Sequence, residues 1–394
     1  MNNVTEKICP VCGSKQLKGF FKMVDVPVHS GVLWPNRNDA LNCPKGDIKL
    51  AFCPVCSYIM NSAFEPALIE YTHTYDSSLF FSHRFREYAR ESAESLIRRY
   101  NLHNRDIVSV GCGKGEFLIL LCELGNNRGI GFDTAYVEQE EHRALRNQVK
   151  FIRDYYSERY AHYPADLIVC RQVLEHVEDP KGFLKMIRRI IGNRLNTHMF
   201  FEVPNAMNIF QRMFVWDIIY GHYSYFTTFS LNRVFSSAGF DVCDLTEAFE
   251  DQYLAIYAQP NGKTSRCDHE KSVEISRIGD EIELYGSFYK RKFDEWSLKL
   301  EQLREWGKRV VIWGAGSKGV TFLNAFKDSG IEYAVDLNPR KQGMYVPGTG
   351  QQIVSPDFLK DYQPDTIIIM NPIYKKEIIK IINKMKLKTN ILLG

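Results

Sequence analysis

Long apolar runs are missing from this chain. None of its hydrophobic stretches reaches the roughly 18 residues of a membrane-spanning helix, which excludes a helical span. The opening residues, MNNVTEKICP, lack the apolar core of a secretory signal, so the expected compartment is the cytosol. An excess of charge is missing too: 50 Lys and Arg face 47 Asp and Glu, for a formal net charge of +3. Backbone recognition of nucleic acid needs clustered Lys and Arg, so neither nucleic acid nor a membrane surface is expected as a partner. The expected substrate is therefore a small molecule. Short-period repeats and low-complexity tracts are also absent. What remains is globular in character, with 45% apolar and 25% charged residues. At 394 residues it is too long for one ordinary core and points to two or three units.

Cysteine is not scarce, and its placement carries information. In a reducing compartment paired cysteines suggest a metal before they suggest disulfides. Cys9 and Cys12 form one CPVC and Cys53 and Cys56 a second. Each pair lets two thiolates converge from a tight turn, and two such turns complete the tetrahedral sulfur shell that zinc prefers. A closed shell of four leaves no open position, so the expected Zn2+ is structural; ordinary buried or redox thiols are the competing reading.

Three blocks separate by pattern. Residues 1–70 carry the CPVC pairs and few long periodic segments. Residues 71–260 alternate apolar runs such as IVSVG, RGIGFD, ADLIVC and HMFFEV with amphipathic stretches, the mark of βα units around a largely parallel sheet. Residues 261–300 hold nearly all of a polar linker that runs from Pro260 to Ser272, and the start of a long helical pattern. Over residues 301–394 the βα rhythm restarts with RVVIWGAGSKG, EYAVDLN and DTIIIMNP.

The clearest functional signal is IVSVGCGKGEFLILLCELG. A strand runs into Gly111, Cys112, Gly113, Lys114 and Gly115, and an apolar helix follows; such glycines let a ligand lie against the backbone above the strand ends. The next strand ends in Asp133, where a carboxylate can accept from both ribose hydroxyls of a nucleoside. The order GCGKG, GFD, FIRDYYSE, ADLIVCRQVLEHVEDP resembles the class I S-adenosylmethionine methyltransferases. By that resemblance Gly111, Gly113 and Asp133 hold the methionine and ribose parts, Asp154 and Tyr155 flank the adenine, and Arg171 and Gln172 line the methyl-donor face.

With the whole chain in view the resemblance narrows to the bacterial sugar C-methyltransferases, which act on nucleotide-linked keto-deoxysugars. It rests on the paired CPVC, on HTYDSS (His73 to Ser78), FEVPN, HYSYFT (His222 to Thr227) and DQYLAIYA, and on GAGSKGVTFLN with DLNPRKQGMYVPGT. The implied architecture is a Rossmann-like α/β methyltransferase core between an N-terminal zinc module and a C-terminal Rossmann-like domain. A methyl group reaches a sugar carbon only if that carbon is made nucleophilic beside a ketone. Such chemistry requires a base and a group that stabilises the enolate oxygen. The resemblance puts His222 in the base position, Tyr75 in the loop over the sugar, His176 and Gln172 on the same cavity, and Tyr220 near the substrate. It departs at Gly221, where a glutamate is typical, and at Ile219, where the family has a tyrosine. Methylation of an oxygen of a sugar or phosphorylated metabolite stays open as an alternative. So, more remotely, does a zinc-ribbon nucleic-acid methyltransferase. The second loop, Gly314 to Gly319, opens a helix, where backbone donors at Gly316 and the charge of Lys318 suit a substrate phosphate. A packing role and NAD binding are the other readings of that loop.

Overall fold

The computed structural model describes residues 2–3, 7–69, 74–139, 147–212, 214–261 and 272–394. His73 and most of the Pro260–Ser272 linker lie outside the described residues.

Among the described residues three sheets organise the chain. The first is antiparallel and pairs Asn2–Asn3, Lys18–Pro27, Lys45–Phe52, Ile59–Asn61 and Ser224–Tyr225 in that order. Its strands of 10 and 8 residues, Lys18–Pro27 and Lys45–Phe52, are longer than the weak periodicity of the first 70 residues suggests. Irregularities between Gly19 and Phe21 and between Met23 and Val26 break the two-residue alternation on which strand recognition depends. The fifth strand, Ser224–Tyr225, comes from far along the chain, within HYSYFT. Ser57 Oγ meets Thr227 Oγ1 at 2.6 Å, and the Tyr58 and Ser224 hydroxyls are bonded. The cysteine module thus grips the loop that bears His222.

The second sheet has seven strands. Numbered within the sheet in chain order, they run 3-2-1-4-5-7-6: Val149–Ile152, Arg128–Phe132, Asp106–Val110, Leu167–Arg171, His198–Pro204, Tyr253–Pro260 and Phe240–Ala248. The first five are mutually parallel, and Tyr253–Pro260 runs antiparallel to both of its neighbours, His198–Pro204 and Phe240–Ala248. This is the Rossmann-like methyltransferase core that the motifs imply. The order reverses at Asp106–Val110, which pairs with Arg128–Phe132 on one side and Leu167–Arg171 on the other, and the residues following these strands line a cavity.

The third sheet is all parallel, with Val310–Trp313 between Tyr333–Val335 and Thr366–Ile369 and with Gln352–Val354 and Asn390–Leu393 at the edges. VVIW and TIII are buried along their whole length, as parallel strands covered on both faces must be. One 34-residue helix, Ser272–Glu305, braces the sheets together. Tyr285 sits 5.1 Å from Phe21 and 4.9 Å from Phe210, and Trp296 sits 5.1 Å from Phe322, ring to ring. Its buried positions, Ile278, Ile282, Tyr285, Trp296, Leu300 and Leu303, with half-buried Tyr289 and Phe293 between them, recur at three- and four-residue spacings, so one face of the helix carries the contact.

Candidate active site

The first glycine loop is held open by its own backbone. Gly111 has φ +65°, and a Cβ there would collide with Val173. A side chain is therefore refused both by conformation and by space. The Gly111 and Cys112 N–H groups donate to the Phe132 carbonyl at 2.8 and 3.1 Å, which ties the loop to the neighbouring strand. Asp133, at the end of that strand, accepts from the Gly113 N–H at 2.9 Å and the Ala135 N–H at 2.7 Å. Burial pushes its carboxyl above the ordinary range, opposed by those two donors. Asp154 and Tyr155 stand on the same rim, with Tyr155 69% exposed. The Asp154 carboxylate is engaged by Arg159 and by the Tyr160 hydroxyl.

The next strand end is organised by one fully buried carboxylate. Glu202, from FEVPN, accepts from Arg171 at 2.9 and 3.1 Å, from the Gln172 amide and from the Tyr88 hydroxyl. Arg171 also lies 4.1 Å from the centre of the Phe117 ring. A buried charge is tolerable when paired and fully hydrogen-bonded, and this network fixes Arg171 and Gln172 on the cavity wall. Gln172 has φ +51°, a strained value for a non-glycine residue at a ligand-facing turn.

The turn Leu174–His176 carries the next groups. His176 Nδ1 lies 2.7 Å from the Gly221 carbonyl oxygen. A carbonyl only accepts, so the hydrogen sits on Nδ1 and the neutral ring carries its lone pair on Nε2. The His222 ring is 5.1 Å from that of His176. Burial, aided by His176 and Lys318, depresses the His222 pKa well below the ordinary imidazole range, and burial also lowers that of His176. Both rings are therefore neutral near neutral pH. Beside them stands Glu175, 1% exposed, whose Oε1 is 4.0 Å from His176 Nε2. Burial pushes its pKa up to about 8. In the sequence Glu175 is marked only by its place in LEHVEDP, directly before a candidate site histidine.

Tyr75 lines the same cavity, with its ring over Gly31 and its phenol pushed up by burial against a hydrogen bond from Ser77. Next to it Asp76, 2% exposed, accepts from Asn338 at 2.9 Å and Arg340 at 2.7 Å and ties this segment to the third sheet. Tyr220 corrects the sequence reading. Its ring stacks 5.5 Å from Phe64 and its hydroxyl accepts from the Glu65 N–H at 2.9 Å, while Ile219 takes its place on the cavity wall. Adjacent side chains in this irregular loop point opposite ways, so a shift of one residue moved the tyrosine into the first module's core.

The second glycine loop faces the same space. Gly314, Gly316, Lys318, Asp336 and Lys341 line a cavity of about 810 Å³ together with the first loop and both histidines. Asp336 accepts from the Ala315 N–H at 3.0 Å, and Lys318 is paired with Asp217. Apart from the cavity, Cys9, Cys12, Cys53 and Cys56 converge: Cys9–Cys56 and Cys12–Cys53 are each 3.6 Å apart, and all four sulfurs lie within 4.8 Å of one another. Tetrahedral sulfurs at 2.3 Å from zinc would be about 3.8 Å apart, so the cluster fits the ion.

Comparison with known proteins agrees with this architecture. A family model described as "Methyltransferase domain" matches residues 80–245. A second, "C-methyltransferase C-terminal domain", matches residues 257–390. The chain is 25% identical over 391 residues to C-methyltransferase NovU of Streptomyces niveus, spanning 94% of this chain and 91% of that one. Among solved structures, the 1,6-didemethyltoxoflavin-N1-methyltransferase of Burkholderia thailandensis is 16% identical, with a TM-score of 0.35 over 45% of this chain and 80% of the other. The magnesium protoporphyrin IX methyltransferase of Synechocystis PCC 6803, with bound SAH, is 15% identical, with a TM-score of 0.36 over 47% and 90%. Among the described residues no helix is long and apolar enough to cross a membrane. With a methyltransferase domain over residues 80–245, a C-methyltransferase C-terminal domain over residues 257–390, and a C-methyltransferase aligned along nearly the whole chain, the protein is an S-adenosylmethionine-dependent methyltransferase.

Proposed function

We propose that the chain methylates a carbon of a nucleotide-linked keto-deoxysugar after a base in the cavity removes the proton beside the ketone. The observation that carries this reading is the single cavity shared by the first glycine loop, the two neutral histidines and the second glycine loop. Bound over the first loop, with Gly111, Gly113, Asp133 and the Tyr155 rim as its cradle, S-adenosylmethionine supplies an electrophilic methyl group. His222 accepts the substrate proton, and the electron pair left behind resides on the enolate. Tyr75 and His176 stand beside it to orient the sugar and its oxygen. Gly316 and its neighbours offer the substrate phosphates backbone donors at a helix start.

Hydrogen exchange tests the reading. A nucleoside-diphosphate keto-deoxysugar incubated in heavy water should take up deuterium beside its ketone, and His222→Ala should abolish the uptake. A product whose new methyl group sits on oxygen ends the carbon-acceptor proposal.

The four cysteines are proposed to hold one structural zinc. Because their module grips the His222 loop through Ser57–Thr227 and Tyr58–Ser224, metal loss is expected to cost both stability and turnover. Metal analysis of the parent and of Cys53→Ser, expected to show one zinc and none respectively, decides it.

A further inference from the structure

Two buried polar atoms beside the histidine pair have no hydrogen-bond partner among the described residues: Glu175 Oε2 and His222 Nδ1. Burying a polar atom without a partner forfeits its hydration, so each such atom calls for an explanation such as a catalytic role or a bound solvent molecule. The two atoms belong to one knot. Glu175, His176 and His222 each offer an atom within 4.8 Å of the other two, and all three residues line the cavity. His222 turns its sealed Nδ1 edge inward, and Gly221 beside it presents no side chain.

We propose that Glu175 is the positioning residue that decides which nitrogen of His222 carries the hydrogen, and so switches the base on. This rests on His222 being the base. As a carboxylate, Glu175 accepts from Nδ1–H, leaving the Nε2 lone pair for the substrate proton. As a carboxylic acid it donates to Nδ1, the hydrogen moves to Nε2 and the base is blocked. When His222 takes the substrate proton, the C–H bond breaks, its electron pair stays on the sugar, and the imidazolium gains Glu175 as counter-charge. The charged groups around the knot set where the switch falls. Glu202 opposes ionisation of Glu175, as burial does. Lys318, paired with Asp217, and His176 disfavour charge on His222, and His29 does so on His176. With Glu175 titrating near 8, the base is off below that pH and on above it.

The test uses the full chain, with 15N-labelled histidine and 13C-labelled glutamate carboxyls, and needs no substrate. The Glu175 carboxyl should titrate near 8, and the His222 nitrogens should change tautomer at the same midpoint. Glu175→Gln should remove that step, and Glu175→Asp should keep it at a displaced midpoint. A His222 tautomer that is constant between about pH 6 and 9, or a step that survives in Glu175→Gln, overturns the proposal. So does Zn2+ that shifts the His176 and His222 resonances after the cysteine cluster is filled, since the knot would then be a metal seat. Should His222→Ala retain full turnover while the tautomer step stands, it is the base assignment that falls.

Discussion

The molecule contains two glycine loops at two sheet switch points, and they solve the same geometric problem differently. In the first loop Gly111, Gly113 and Gly115 all have positive φ, and Lys114 folds back onto the Ala135 carbonyl of its own domain at 3.0 Å. In the second only Gly314 does, Gly319 lets the helix approach the Gly314 carbonyl, and Lys318 crosses to Asp217 of the methyltransferase domain. Both end opposite a strand-terminal aspartate that accepts a loop N–H, Asp133 from Gly113 and Asp336 from Ala315. The shared feature is a Rossmann turn. The differences suit the first loop to a backbone cradle, while the second also joins two domains through Lys318 and Asp217.

The largest expected effect lies between the loops. His222→Ala or His222→Asn should lower turnover by about 10² to 10⁴ while leaving donor affinity nearly unchanged, because the group acts on a proton. Calorimetry beside single-turnover rates separates the two quantities, and a parallel loss of donor affinity would place His222 in the first loop's cradle. Next, Gly111→Ala should weaken S-adenosylmethionine binding by about 10- to 100-fold through forced φ and collision with Val173. Gly319→Ala should instead lower the melting temperature and spare donor affinity. Equal donor losses in both variants would erase the distinction. Asp133→Ala should cost about 1 to 3 kcal/mol of donor binding, the value of a charged acceptor for ribose hydroxyls, and Asp336→Ala should cost none. The smallest effect is in pH. Because burial raises the Asp133 pKa, its charge is lost at a higher pH than for an exposed aspartate as acid is added. Donor affinity should therefore fall on acidification from above the usual carboxylate range. The same titration with Asp133→Asn should be flat, and a retained slope would move the effect to another group.

Some of the site was legible from residues alone. GCGKG followed by a strand ending in Asp133 located a glycine loop that lines the cavity, and the two CPVC pairs located the sulfur cluster, because both depend on a short spacing that the chain itself carries. Tyr220 and Glu175 show where that stops. Whether a residue in an irregular loop faces a cavity or a core depends on the strand that loop joins, and Ser224–Tyr225 joins a sheet built from residues 2–61. No periodicity records that pairing.

By itself the sequence determined the alternation of strands and helices, the glycine turns and the thiol pairs, since these follow from local spacing and backbone freedom. Only the tertiary structure decided that two switch points share one cavity, that Lys318 is paired with Asp217, and that an otherwise unremarked carboxyl lies buried among the histidines. Those outcomes depend on contacts between segments up to several hundred residues apart, where burial and charge pairing are settled by packing.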